Sequence, residues 1–182
     1  MSKSVKTNLK IDLKNYILEI ANWPKPGINF KDITPLLQDK NAFRQAIDEL
    51  VLPFANENID VVVGIDARGF ILAAAVAYKL RAGLALIRKK GKLPRKTVRR
   101  DYALEYGSNT IEMHDDAIKP GARVLIVDDV LATGGTISAT CEIVEQIGGN
   151  IIGVVLLLSL NFLHGEKKIN RYKVNILTKY DR

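Results

Sequence analysis

Cysteine is nearly absent from this chain of 182 residues, which contains only Cys141. One cysteine excludes an internal disulfide framework and a cysteine-rich zinc site, and it favours a reducing, cytoplasmic location. Histidine occurs twice, and neither His114 nor His164 belongs to a recognisable metal-binding motif. Long apolar runs are also missing, since the longest, residues 151–158, contains Gly153 and is far shorter than a membrane span. We therefore expect neither a secreted disulfide scaffold nor a membrane protein.

A strong excess of either charge is missing as well. The chain has 27 Lys+Arg and 20 Asp+Glu, which gives a formal net charge of +7. This modest basic excess fits an anionic small-molecule ligand, and nucleic acid is the alternative partner. With 47% apolar and 26% charged residues, the composition is that of an ordinary globular protein. The length is that of one domain, so we predict a single domain over residues 1–182.

Short apolar strands alternate with helical patterns through most of the chain, after two amphipathic N-terminal segments, residues 12–22 and 43–54, whose apolar spacing predicts helices. This alternation predicts a mostly parallel sheet with helices on both faces, an α/β fold. The predicted strands are residues 61–63, 84–87, 124–127 and 151–158, and the helices between them are residues 70–80 and 136–147. Residues 102–106 and 110–114 alternate weakly, which predicts a hairpin at a sheet edge. Ligands of such folds bind beyond the carboxyl ends of the strands. We therefore look for a site just after Val63, Ile87 and Val127.

The clearest motif follows the third of these strands and reads V-L-I-V-D-D-V-L-A-T-G-G-T over residues 124–136. Its small-residue end, residues 132–136, enters a helix, where backbone N–H groups and the helix dipole can bind a phosphate. Asp128 and Asp129 would repel phosphate, but they suit sugar hydroxyls, directly or through Mg²⁺. A simple capping loop beside two solvated acids is the alternative. No P-loop motif is present, and no G-x-G-x-x-G follows a strand, so a dinucleotide fold is disfavoured.

This motif resembles the phosphoribosyl-diphosphate (PRPP) signature of the type I phosphoribosyltransferases, and its A-T-G-G-T ending resembles that of the adenine-using members. The resemblance covers about residues 23–160. It implies the type I fold, a central mostly parallel sheet flanked by helices, with a helix and hood in residues 1–37 and a mobile lid over residues 88–110. The PRPP-binding residues that it implies are Asp66, Ala67, Arg68, Arg88, Lys89, Lys92, Asp128, Asp129, Ala132, Thr133, Gly134, Gly135 and Thr136.

Two segments with arginine or lysine side chains predict a site for the diphosphate. The turn G-I-D-A-R-G-F at residues 64–70 exposes Arg68 at a strand end, where a guanidinium group can pair bidentately with phosphate oxygens. A capping turn with a solvent-facing arginine is the alternative. Residues 88–100 hold eight cations and no acid. Such a run can be a solvated loop or a nucleic-acid patch, although it lacks interleaved aromatic residues. Four of its cations depart from the lid of the family and have no predicted role: Arg95, Lys96, Arg99 and Arg100.

The resemblance also implies how the base is held. Adenine would contact Ile28, Asn29, Phe30 and Arg68, with Phe30 stacking on the purine. Glu105, in the segment Y-A-L-E-Y-G-S at residues 102–108, would lie near the reacting nitrogens and handle the proton that adenine loses. Taken alone, this glutamate could equally be a solvent-facing strand residue. Glu105 and Arg68 are the catalytic candidates.

The implied activity is transfer of the 5-phosphoribosyl group from PRPP to adenine, giving AMP and diphosphate in purine salvage. Mg²⁺ would be held through the PRPP diphosphate and ribose, with Asp128 and Asp129 as candidate ligands. A homodimer is implied by resemblance only, and nucleic acid and membrane are not expected partners. Two alternatives stay open. One is a phosphoribosyltransferase for xanthine, hypoxanthine, guanine or orotate; the other is a PRPP-sensing regulator that binds nucleic acid.

Overall fold

A computed structural model describes residues 10–103 and 108–182 of the chain. The chain divides into two compact units, Met1–Ala46 and Ile47–Arg182. The single domain expected over residues 1–182 stays a prediction. No helix in the described part of the chain combines the length and the apolar character needed to cross a membrane.

The first unit is built from short elements: a 3-10 helix at Leu13–Tyr16, β1 at Leu18–Ile20, β2 at Phe30–Asp32, α1 at Thr34–Gln38 and the start of α2, Lys40–Val51. The helix expected over residues 12–22 is wrong beyond its first turn. Asp12 caps that turn by accepting the Lys14 N–H at 3.0 Å, and β1 then pairs antiparallel with β2. Backbone pairing with a strand distant in sequence replaces the helical bonds that the local apolar spacing suggested.

The second unit contains a seven-stranded sheet with the order β5-β6-β4-β3-β7-β8-β9. Four neighbouring pairs, from β4 across to β9, are parallel, and the β4–β6 and β5–β6 pairs are antiparallel. The predicted mostly parallel sheet is confirmed, and β9 is a strand that we did not predict. The strands are β3 Val61–Ile65, β4 Gly83–Lys89, β5 Thr97–Ala103, β6 Ser108–His114, β7 Arg123–Leu131, β8 Asn150–Leu160 and β9 Val174–Tyr180.

Helices cover both faces of this sheet, α3 at Gly69–Leu80 and α4 at Gly135–Ile147. Successive residues of β3 face opposite sides. Val63 lies in one core cluster with Ile137 and Cys141 of α4, while a Cβ at Gly64 would press against Ala73 of α3. Cys141 is a small buried core group, and burial raises the pKa of its thiol to about 12.

The length of β7 decides where the site lies. Pairing of β7 with β3 ends at Val127, but pairing with β8 continues to Leu131. The predicted end of the strand at Val127 is therefore four residues too early. Asp128 and Asp129 belong to β7, just past the last residue that β3 pairs with. The sheet thus opens on one side of β7 at the level of the two acids.

Candidate active site

The two acids of β7 are buried, with 9% of Asp128 and 6% of Asp129 exposed. Asp128 Oδ1 accepts the backbone N–H of Asp129 at 2.9 Å. The first residue of α3, Gly69, lies directly against Asp128, because a Cβ there would come within 2.5 Å of Oδ1. The glycine of the predicted diphosphate turn therefore lets the N-terminus of α3 approach the acid pair.

Arg68, the residue before Gly69, joins the two predicted subsites. Its Nη2 lies 2.6 Å from Asp129 Oδ2, and 32% of its side chain is exposed. The structure thus brings together the arginine predicted for diphosphate and the acid predicted for ribose. Because a third of Arg68 faces solvent, part of its guanidinium group can still meet an anionic ligand.

Burial controls the ionisation of the acid pair. It raises the pKa of Asp128 well above the usual range, and the negative charge of Asp129 adds to this effect. Burial also raises the pKa of Asp129, although the Arg68 charge works in the opposite direction. Two adjacent buried carboxylates disfavour double ionisation. Hydrogen-bond donors or a cation supplied by a ligand would favour the fully charged pair.

The predicted phosphate loop, residues 132–136, forms the N-terminus of α4. Gly134 has φ of 75°, a left-handed conformation that favours glycine, and it is the N-cap of the helix. The backbone of Gly165, from a later 3-10 helix at Gly165–Lys168, packs against it. A Cβ at Gly134 would lie 2.5 Å from the Gly165 carbonyl oxygen. Thr133 and Thr136 are half-buried and close to helix N–H groups that lack intrahelical acceptors.

The predicted diphosphate turn contacts the start of the basic segment. Arg88 Nε lies 3.2 Å from Asp66 Oδ2, and the Asp66 N–H donates to the carbonyl of Ile87. The Asp66–Ala67 peptide is cis, and Ala67 is exposed. Lys89 follows Arg88 in β4, so its side chain lies on the opposite face of the sheet. The structure therefore brings Arg88, but not Lys89, to the turn.

The four additional lid cations each face an acid. The pairs are Arg95 with Asp116, Lys96 with Asp115 at 2.9 Å, Arg99 with Glu112 at 2.9 Å, and Arg100 with Glu142 at 3.4 Å. In contrast, neither Lys89 nor Lys92 forms an ion pair with an acid within residues 10–103 and 108–182. Arg88 also pairs with an acid, Asp66, so the lid charge separates into a set of cations partnered by acids and a set of lysines available to an anionic ligand.

The remaining predicted residues lie elsewhere. Glu105 falls outside the described residues, so its catalytic role stays a prediction. Ile28, Asn29 and Phe30 belong to the first unit, where the ring of Phe30 meets that of Trp23 edge-on, with centroids 4.5 Å apart. Asn29 is exposed and Ile28 is 37% exposed, so both can contact a ligand.

Comparison with known proteins identifies the family to which the chain belongs. Residues 30–180 match the family model described as the phosphoribosyl transferase domain. Adenine phosphoribosyltransferase from Rhodothermus marinus DSM 4252 is 48% identical, with a TM-score of 0.89 over 92% of this chain and 96% of that chain. The chain belongs to the adenine phosphoribosyltransferase family.

Two further members of the adenine phosphoribosyltransferase family have structures with ligands. The Saccharomyces cerevisiae protein, solved with adenine and an imino-altritol bisphosphate, is 37% identical, with a TM-score of 0.85 over 91% of this chain and 96% of that chain. The Giardia lamblia APRTase, solved with 9-deazaadenine, is 33% identical, with a TM-score of 0.88 over 94% and 97%. These matches confirm the type I phosphoribosyltransferase fold.

Two residues that contact the predicted site segments were not identified from the sequence. Gly165 backs the phosphate loop, and nothing in its local sequence connects it to Gly134. Glu112 is fully buried in β6 and accepts hydrogen bonds from the basic segment. A signal for Glu112 did exist, since it is an acid between Ile111 and Met113 in a segment predicted as a strand. Its partners are distant in sequence and only the fold brings them together.

Proposed function

We propose that the protein transfers the 5-phosphoribosyl group of PRPP to adenine, forming AMP and diphosphate in purine salvage. One observation carries the proposal: the buried acid pair, Arg68 and the glycine-lined start of α4 converge at one end of the sheet. The match to the R. marinus adenine phosphoribosyltransferase, 48% identical over nearly the whole chain, supports the same activity. The reaction needs one site each for a phosphate, a ribose, a leaving diphosphate and a base.

The 5′-phosphate is assigned to residues 132–136, where free N–H groups and the positive end of the α4 dipole attract an anion. The ribose hydroxyls are assigned to Asp128 and Asp129, whose carboxylates accept hydrogen bonds. The diphosphate is assigned to the guanidinium and ammonium groups at the other side of the acid pair. These groups belong to Arg68, Arg88 and Lys92. Asp66 and Ala67 form the turn beside them, and Lys89 remains a candidate ligand of the diphosphate.

The chemistry follows from the charges. As the bond from C1′ to the diphosphate oxygen breaks, positive charge develops on the ribose and negative charge on the leaving group. Cationic side chains fixed beside the diphosphate stabilise that negative charge, which is the largest catalytic effect we expect. Nitrogen 9 of adenine then bonds to C1′ and adenine loses a proton, which we assign to Glu105. Replacing Glu105 by Ala should lower kcat far more than the affinity for PRPP.

Water must be kept from C1′, because it would capture the cationic centre instead of adenine. A segment that closes over the substrates meets this need, and residues 88–110 are our candidate. Adenine itself is assigned to Ile28, Asn29 and Phe30 of the first unit. The S. cerevisiae relative solved with adenine and the G. lamblia relative solved with 9-deazaadenine support a base-binding role for this family.

Mg²⁺ fits the residues that are present. Sites completed by substrate phosphates use one or two protein carboxylates, which is the donor set of Asp128 and Asp129. A neighbouring cation would also favour the charged form of these acids, whose pKa values burial raises. We therefore assign these two side chains and the PRPP oxygens as the Mg²⁺ ligands. When bound, the ion neutralises negative charge on the leaving diphosphate.

A homodimer is part of the proposal, and two exposed apolar surfaces of the second unit support it. Ile71 and Tyr78, seven residues apart on one face of α3, are 46% and 89% exposed, and Leu84 and Leu86 of β4 are 45% and 37% exposed. The face of β4 that carries both leucines also carries Arg88. Sedimentation velocity of the wild type and of Tyr78→Asp tests this, and a monomeric wild type would contradict it.

We also propose a cytoplasmic location, which suits the free thiol of Cys141.

The test of function is AMP formation from PRPP and Mg²⁺ with adenine, beside hypoxanthine, guanine and xanthine. We expect turnover with adenine only. Turnover with a different base would retain the phosphoribosyl chemistry but contradict the assignment of Ile28, Asn29 and Phe30. Absence of turnover with every base, with PRPP still bound, would favour a PRPP-sensing regulator. The nucleic-acid alternative loses support because five of the eight lid cations, Arg88 among them, pair with acids.

A further inference from the structure

Glu112 is a buried carboxylate to which the proposed reaction gives no role. Its side chain is 0% exposed, although it lies in β6 among the cations of the lid. Its Oε1 accepts two backbone N–H groups from the turn that follows β4, those of Lys92 at 3.1 Å and Leu93 at 3.2 Å. One carboxylate oxygen therefore holds the turn of the basic segment in place.

The second oxygen of Glu112 is bonded as well. Oε2 accepts the Nε–H of Arg99 at 2.9 Å and the hydroxyl of Thr97 at 3.2 Å. In the sheet, Glu112 lies directly opposite Arg88 of β4 and Arg99 of β5. Directly opposed residues of antiparallel strands share a face, so the acid stands between two arginines in one row.

These contacts keep Glu112 ionised. Burial would raise its pKa, but the hydrogen bonds from Leu93, Arg99 and Lys92 outweigh burial, and the pKa lies below the usual value for a glutamate. Hydrogen bonds to an ionised acceptor are about twice as strong as those between neutral groups. At neutral pH the turn is therefore held by a charged anchor.

The anchored turn leads to the predicted diphosphate residues. The N–H of Lys92 donates to Glu112, and the carbonyl of Lys92 accepts from Arg88 Nη1 at 3.4 Å. Arg88 in turn donates from Nε to Asp66 in the turn before α3. The backbone of Lys92 is thus held on both sides, while its side chain is exposed.

We propose that Glu112 is a positioning residue for diphosphate binding: it sets the turn of residues 90–93 so that Lys92 and Arg88 present their charges to the same anion. The proposal rests on the proposed function, because it assumes a diphosphate at these cations. Glu112 does not touch the substrate in this proposal. It acts through the backbone of Lys92.

Glu112→Gln is the main test, because the amide keeps the size but loses the charge. A glutamine can aim its single acceptor at the turn or at Arg99, but not at both. We expect the dissociation constants of PRPP and of inorganic diphosphate, measured by titration calorimetry, to rise about tenfold. The dissociation constant of AMP should stay within about twofold, because AMP carries no diphosphate. Asp116→Asn is the matched control, since it removes the acid from another lid ion pair without touching the turn.

A second readout does not depend on any ligand. The backbone amides of Lys92 and Leu93 should exchange with deuterium faster in Glu112→Gln than in the wild type or in Asp116→Asn. If Glu112→Gln does not fold, Glu112→Asp replaces it, because its shorter side chain cannot reach both the turn and Arg99. The same ligand pattern is expected for it.

The outcomes separate the possibilities. Weaker PRPP and diphosphate binding with unchanged AMP binding supports the proposal. Equal weakening of all three ligands, together with a lower Tm, would show a merely structural role and overturn it. Unchanged binding of all three would overturn it too. A wild-type protein that binds neither PRPP nor diphosphate would instead contradict the proposed function itself, whatever the variants do.

Discussion

Arg68 Nη2 lies 2.6 Å from Asp129 Oδ2, so the arginine assigned to the diphosphate and the acid assigned to the ribose hydroxyls neutralise each other. Only 6% of Asp129 is exposed, whereas Arg68 reaches solvent. Removing one partner of such a pair leaves the other charge uncompensated, and the loss then exceeds what the pair contributes. The pair also fixes where the Arg68 guanidinium stands relative to the ribose subsite.

A double-mutant cycle tests this relationship. Arg68→Gln should lower the free energy of unfolding, and adding Asp129→Asn should restore most of the loss. Because Arg68 is partly exposed, we expect a coupling free energy of about 1 kcal/mol, below that of a fully buried pair. Urea unfolding of the wild type, both single variants and the double variant measures the coupling. Purely additive effects would contradict the ion pair.

The ionised side chain of Asp128 should destabilise the folded protein at neutral pH. Burial and the neighbouring Asp129 raise its pKa in the folded state. A carboxyl group with a raised folded-state pKa destabilises the fold above that pKa, and the penalty disappears as the pH falls towards the ordinary value of about 3.9. At pH 7 Asp128→Asn should therefore raise Tm by about 2–4 °C, which corresponds to about 1 kcal/mol.

The same substitution should abolish AMP formation, because the amide cannot supply a charged acceptor to the ribose or to Mg²⁺. Thermal unfolding of the wild type and Asp128→Asn at pH 7, 6, 5 and 4 measures the stability difference. We expect this difference to shrink steadily as the pH falls. A variant that is less stable than the wild type at pH 7 would contradict our account of the acid pair.

The sequence was sufficient for the parts of the fold that local patterns encode. The strands β3, β7 and β8 and residues 84–87 of β4 are apolar runs, and their alternation with helices predicted the parallel sheet. The acid pair and the glycine loop were visible because they are contiguous. The prediction that failed, a helix over residues 12–22, depended on a long-range contact. β1 forms because it pairs with β2, and this pairing replaces the helix that the local apolar spacing suggested.

The same limit applies to the site. Glu112 gains its role from Lys92 and Arg99, which lie 20 and 13 positions away, and from its place between β4 and β5. The four cations without a predicted role find acids on other segments, including Glu142 of α4. Charge runs are ambiguous in a sequence because their partners are set by the fold, and here the fold separates paired from available cations.

That separation predicts different effects of neutralising two lid cations. Lys92→Gln should raise the KM for PRPP about tenfold, because an available charge on the diphosphate is lost. Arg95→Gln should leave it within about twofold, because Arg95 already pairs with Asp116 and exposed pairs contribute little. Initial-rate measurements at fixed adenine and varied PRPP test both variants. Equal effects would show that the lid acts through its total charge.

The packing of Gly165 against the phosphate loop gives the last prediction. A Cβ at Gly165 would overlap the Ala132 carbonyl oxygen and lie 2.8 Å from the Gly134 nitrogen, so Gly165→Ala must displace the loop. Small displacements of binding groups are costly, and we expect PRPP and AMP to bind at least about tenfold more weakly. Both ligands carry the 5′-phosphate, which distinguishes this pattern from that expected for Glu112→Gln.

Gly83→Ala is the matched control for this variant. A Cβ at Gly83 would meet its nearest atom, the Asp60 carbonyl oxygen, at 3.5 Å, an ordinary contact, and Gly83 lies at the other end of β4 from Arg88. Its binding constants should match those of the wild type. Calorimetric titration of PRPP, AMP and diphosphate into both variants, with Tm measured on the same samples, completes the test. Unchanged AMP affinity in a folded Gly165→Ala variant would refute the assignment of residues 132–136 to the 5′-phosphate.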